Sequence, residues 1–107
     1  MPTYTQPDII NDTAHWDTIS RREKLSEEFI REHQDKVNWY GISNNQILSE
    51  TFIREFQDKV NWYGISYNQK LSENFIIEFI DKLDIDNILR YQALDQETKE
   101  YLLLLKG

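Results

Sequence analysis

One segment of this sequence occurs three times. LSEEFIREHQDKVNWYGISNNQI begins at Leu25, LSETFIREFQDKVNWYGISYNQK at Leu48 and LSENFIIEFIDKLDIDNILRYQA at Leu71, so the copies are 23 residues apart. The register extends in both directions. Trp16, Trp39, Trp62 and Ile85 are equivalent, as are Ile19, Ile42, Ile65 and Ile88, and Ser20, Ser43, Ser66 and Leu89. Leu94 and Asp95 continue the Leu71 and Ser72 positions, and upstream Asp12 is in register with Asp35, Asp58 and Asp81. The repeat therefore covers roughly residues 10–106 of 107. A unit this short cannot bury its own apolar face, so neighbouring units must stack.

Each unit reads as two helices. The longer, helix A, is expected after Ser26, Ser49 and Ser72, whose hydroxyls suit the unpaired N–H groups of a first turn. Leu25 with Ile30, Leu48 with Ile53 and Leu71 with Ile76 have staple spacing across that cap. Glu27, Glu50 and Glu73 fall in the first turn and Lys36, Lys59 and Lys82 in the last, as the helix dipole favours. Phe29, Ile30, His33 and Val37 share one helical face, repeated by Phe52, Ile53, Phe56 and Val60 and by Phe75, Ile76, Phe79 and Leu83. The shorter helix B is expected after Asn38, Asn61 and Asp84. Gly41 and Gly64 weaken it by about 1 kcal/mol each relative to alanine, or permit close approach of a neighbour.

Strand alternation is absent. The expected fold is all-α: one domain over residues 1–107, a mini-solenoid of short helix pairs with units at about 16–38, 39–61, 62–84 and 85–106. Residues 1–9 are expected as an extended arm, with a remnant of a first helix A near Ile9 to Thr13. LDQETKEYLLLLKG reads as a final helix A capped by Asp95. Exposed i,i+4 pairs such as Glu27–Arg31, Glu32–Lys36 and Glu55–Lys59 explain much of the charge.

Composition narrows the function classes. Cysteine is absent, which removes disulfides, thiolate metal sites and a thiol nucleophile. The net charge of -7 argues against a phosphate-binding surface and directs attention away from nucleic acid. Acidic and basic residues are interleaved, so no dense phosphate-like array is evident. No apolar run approaches the length of a membrane span, and the first residues lack a secretory pattern, so a cytoplasmic protein is expected. No catalytic residues, cofactor or metal site are assigned. His33 takes the place of Phe56 and Phe79, at the rim of the core. His15 occupies the Asn38 position, as a cap or a surface residue. The group Asp81, Asp84 and Asp86 lacks the glycine and terminal glutamate of a calcium loop. The tryptophans lie on the apolar side of helix B, where core packing explains them better than base stacking.

The unit WxxISxxQxLSExFIxEFxDKVxW resembles the short tandem repeats found in giant-virus and bacteriophage proteins. Trp39, Ile42, Ser43, Gln46, Leu48, Ser49, Glu50, Phe52, Ile53, Glu55, Phe56, Asp58, Lys59 and Val60 carry the likeness. It departs in the third unit, which has Ile85 for the Trp and Asn87 for the Gly. The resemblance implies an interaction repeat and no assigned activity. Small acidic phage proteins that inhibit host defence, anti-CRISPR proteins among them, are a further analogy of size and likely origin; it implies the host cytoplasm.

Function is therefore sought where the copies differ. Tyr40 and Tyr63 stand where the flanking units have Asp17 and Asp86; Tyr67 stands where others have Arg21, Asn44 and Arg90. These tyrosines are expected to bind another protein, with Asp81, Asp84 and Asp86 as a second surface. Ile77 and Ile80 replace Arg31/Arg54 and Gln34/Gln57 on helix A. Either the C-terminal helix covers them, or Ile77, Ile80, Leu102 and Leu105 join two copies as a homodimer. The leading expectation is an inhibitor acting by steric occupancy; the alternative is a self-assembly module.

Overall fold

In the computed structural model, residues 13–106 are described. The expected arm at 1–9, and Asp12 and Ile9 of the expected remnant, lie outside them. All regular structure among the described residues is helical. The chain divides into two compact units, Met1–Asn61 and Trp62–Gly107.

The first unit holds α1 (Thr13–Arg22), α2 (Glu27–Glu32), α3 (Trp39–Asn45) and α4 (Glu50–Glu55). The second holds α5 (Trp62–Asn68), α6 (Glu73–Glu78), α7 (Ile85–Tyr91) and α8 (Gln96–Lys106). The serine caps form as the sequence requires: Phe29, Phe52 and Phe75 donate their N–H groups to Ser26, Ser49 and Ser72 Oγ at 3.0, 3.1 and 3.2 Å. Asn38 and Asp84 cap α3 and α7 through Gly41 and Asn87 N–H, both at 3.0 Å.

Helix A is shorter than its sequence suggests, six residues against seven for helix B. The chain tightens after Glu32: Lys36 and Val37 N–H both converge on the His33 carbonyl, at 2.9 and 3.1 Å. The same closure recurs at Phe56 and Phe79. Lys36, Lys59 and Lys82 thus fall in this turn, past the last helical turn. The closure returns Val37, Val60 and Leu83 to the core. Thr13, expected in the remnant, instead begins α1, and His15 is an exposed residue inside that helix and no cap.

Three ring clusters build the cores. Trp16 lies 6.1 Å from Phe29 and 5.3 Å from His33; Trp39 lies 6.2 and 5.3 Å from Phe52 and Phe56. In the second unit Trp62 lies 6.4 and 5.3 Å from Phe75 and Phe79. His33 takes the phenylalanine site as a half-buried ring, which accounts for it without chemistry. Gly41 brings α3 onto α1: a methyl group there would lie 2.7 Å from Arg21 Cγ and 3.3 Å from Ser20 Cβ.

Buried polar side chains tie the connections down. Ser20, Ser43 and Ser66 are fully buried. Their hydroxyls accept from the N–H groups of Asn38, Asn61 and Asp84, 18 residues on, at 2.9, 2.9 and 2.8 Å. Gln46 accepts from Leu25 N–H at 3.1 Å and donates to the Ser20 and Glu23 carbonyls. Gln92 does the same in the second unit, accepting from Leu71 N–H and donating to Ser66 and Gln69. Loop backbone groups that would otherwise be buried unpaired are satisfied this way.

Ion pairs run between neighbouring A helices as well as along one helix. Arg31, expected to pair with Glu27, makes a two-pronged contact with Glu55 at 2.9 and 2.8 Å. Its guanidinium also sits 5.5 Å from the Phe52 ring centre. Glu27 instead accepts from Ser49, through both its N–H and hydroxyl. Asp35, one of the recurring aspartates, is nearly fully exposed and approaches Lys59 Nζ at 3.9 Å.

Candidate functional site

Trp, Ser and Gln recur at core positions and are consumed by packing. The exposed positions where copies differ are what remain for recognition. Tyr63 and Tyr67 are one turn apart on α5 and so share a face; their ring centres are 6.1 Å apart, edge to face. Packing of α5 against α7 adds a third ring, Tyr91, 5.8 Å from Tyr67 and tilted by 55°. All three tyrosines are exposed. Beside them lies a groove of about 460 Å³, walled by Tyr67, Tyr91, Lys70, Leu71, Gln92 and Ala93.

Tyr91 was not among the residues the repeat singled out. It occupies the position of Asn45 and Asn68, so it is another departure between copies. Its offset from Tyr67 is 24 residues, the same as that joining Arg31 to Glu55. Tyr40 is also exposed, but it belongs to the first unit, on α3.

The aspartates of the third repeat are distributed among separate tasks. Asp84 is the cap of α7, so its carboxylate already holds Asn87 N–H. Asp86 pairs with Lys106 at the end of α8. Asp81 is exposed in the turn after α6. Among the described residues no group of three or more His, Cys, Asp or Glu could hold a metal ion. Asp84 Oδ1 is thus engaged at the helix end.

The apolar set expected at a homodimer contact also divides. Leu102 is fully buried, because it follows buried Thr98 by one helical turn on the inward face of α8. It is a core residue and cannot meet a partner. Ile77 and Leu105 are exposed and Ile80 is half-buried. The C-terminal helix does approach Ile77: a groove of about 280 Å³ lies among Ile77, Glu97, Thr98 and Tyr101.

A third groove, of about 350 Å³, is lined by Arg21, Arg22, Lys24, Leu25, Gln46 and Ile47 among others. It is the tyrosine groove displaced by 46 residues along the chain, with basic residues where the second unit has Tyr67 and Asn68. The same scaffold feature thus carries different chemistry in the two units. No helix among the described residues is long and apolar enough to cross a membrane. No family model matches the chain, and searches of curated proteins and of solved structures find no match.

Proposed function

We propose that this chain is a non-enzymatic helical-repeat protein that binds another protein through the tyrosine surface of its second unit. One observation carries the reading: Tyr63, Tyr67 and Tyr91 form a continuous row of exposed rings beside a groove. Tyrosine presents a large apolar area and a hydroxyl with few torsions to freeze, which suits it to anchoring a partner. The repeat positions do not require these rings, since Tyr67 stands for Asn44 and Tyr91 for Asn45. Two of the ionisable residues have structural roles, His33 in a ring cluster and Asp84 at a cap.

The finer reading, occupancy of a host defence complex by a phage or viral inhibitor, is supported by resemblance and by small acidic character alone. Affinity capture from host lysate tests both. The wild-type chain is expected to retain a protein that Tyr63→Ala/Tyr67→Ala/Tyr91→Ala loses while keeping its helicity. An unchanged set of captured proteins places the contact elsewhere. A captured protein unrelated to host defence removes the inhibitor reading and leaves the binding surface standing.

A further inference from the structure

The groove of the first unit is opposite in charge to the chain as a whole. The sequence stands at -7, yet Arg21, Arg22 and Lys24 wall this groove against one acid, the half-buried Glu23. Glu27 and Glu28, which open α2, are not among its walls, and Glu27 is engaged by Ser49. The repeat does not call for these cations. Arg22 stands where the other copies have Asn45, Asn68 and Tyr91, and Lys24 where they have Ile47, Lys70 and Ala93. A helix C-terminus favours Arg21 and Arg22, but Lys24 lies beyond the end of α1.

The walls are held in place by the fold. Arg21 packs its stem against α3, where Gly41 leaves room for its Cγ. Its guanidinium is steered by the Asp17 carbonyl and carboxylate one turn back on α1. Asp17 also accepts from Asn38 Nδ2, so its charge is shared. A guanidinium has more donors than Asp17 uses, and Arg21 keeps the remainder. Arg22 and Lys24 are exposed and make no hydrogen bond or ion pair among the described residues. The floor has little to offer a ligand. Gln46 is taken up by Leu25, Ser20 and Glu23, and Asn45 Nδ2 donates to the Gly41 carbonyl at 3.1 Å. At the rim Ile47 is 89% exposed. The groups left to bind with are the cations and one isoleucine.

Charge complementarity selects the occupant. We propose that this groove binds an acidic segment of another protein, one in which aspartate or glutamate flanks an apolar residue. Its carboxylates meet Arg22 and Lys24, with Arg21 beside them, and its apolar side chain covers Ile47. Arginine suits carboxylates because its planar fork donates to both oxygens at once. A nucleic acid is a poorer fit. Its phosphates continue past the groove onto a chain of net negative charge, and it has no aliphatic side chain for Ile47.

The groove lies in the first unit and is independent of the tyrosine row. Fluorescence anisotropy with the full chain tests the proposal. The probe is a short labelled peptide in which glutamates flank a leucine. It is compared with the same peptide carrying glutamines for the glutamates, with one carrying serine for the leucine, and with labelled oligothymidine. The glutamate–leucine peptide is expected to bind tightest of the four, and less tightly as salt is raised. Arg22→Gln/Lys24→Gln loses at least about tenfold in affinity, with helicity unchanged by circular dichroism. Lys36→Gln/Lys99→Gln removes the same charge from exposed sites elsewhere and changes the affinity little. Ile47→Ser weakens the leucine peptide and not the serine one. No binding at low salt, equal binding of the glutamine peptide, or an equal loss in the two double variants overturns the proposal. Tighter binding of oligothymidine overturns it in favour of nucleic acid. Self-association in sedimentation velocity that Arg22→Gln/Lys24→Gln abolishes overturns it in favour of a second copy. Tyr63→Ala/Tyr67→Ala/Tyr91→Ala leaves the peptide affinity unchanged; a matching loss there would move the peptide to the tyrosine surface.

Discussion

Ser66 accepts from Asp84 N–H at 2.8 Å and donates to the Trp62 carbonyl at 2.7 Å, with no access to water. Replacing it by alanine leaves a buried N–H without a partner. Ser66→Ala is expected to cost about 1–3 kcal/mol, read from urea unfolding, whereas an exposed serine would cost far less. A loss within experimental error would show that the hydroxyl does not hold this connection. Asn87 presents the opposite case. It occupies the glycine position of the other repeats, is buried, and its Nδ2 has no hydrogen-bond partner. Asn87→Ala removes that unpaired donor and adds helix propensity, so a gain of about 1 kcal/mol is expected as a raised Tm. A lowered Tm would mean that the amide has a role in packing that outweighs its unpaired donor. The serine and glutamine positions were visible in the sequence as recurrences, but their partners were not. Those partners are backbone groups 18 to 26 residues away, which periodicity alone cannot identify.

Among the elements, α8 is set by its cap. Thr98 N–H donates to Asp95 Oδ1 at 2.8 Å. The Thr98 backbone bond, then the Thr98 side chain and Glu73, hold the Asp95 carboxyl below its ordinary value. A lowered folded pKa stabilises the folded chain above the unfolded value, and that contribution is lost as pH falls through the folded one. Thermal stability is thus expected to decline on acidification through and below the usual aspartate range. Asp95→Ala should show a smaller decline over the same span and a lower Tm at neutral pH. An identical pH profile would mean that the cap carries no linkage. Caps were the most legible part of the elements, since Ser26, Ser49, Ser72, Asn38 and Asp84 each precede a helix. The length of helix A was not. Its apolar spacing continues through Val37, and only the two N–H groups converging on the His33 carbonyl reveal that the chain has already turned.

For the molecule as a whole, the repeat made the helical class and the core legible. The ring clusters use the Trp and Phe positions that recur. The proposed binding surface was half legible. Tyr63 and Tyr67 stood out as departures on one helix, but Tyr91 enters through the packing of α5 on α7. Tyr40 looked equivalent to Tyr63 in the register, and its rings-and-groove setting is not reproduced in the first unit, where the corresponding groove is basic. Function on this account sits on the differences between copies that share a scaffold. Titration calorimetry with a captured partner, comparing Tyr67→Ala/Tyr91→Ala with Tyr40→Ala, tests this most directly. The double variant is expected to weaken binding by at least about 2 kcal/mol, some thirtyfold, and Tyr40→Ala to change it little. Equal affinities for wild type and the double variant, with both folded, would contradict the assignment of binding to the second unit's tyrosines.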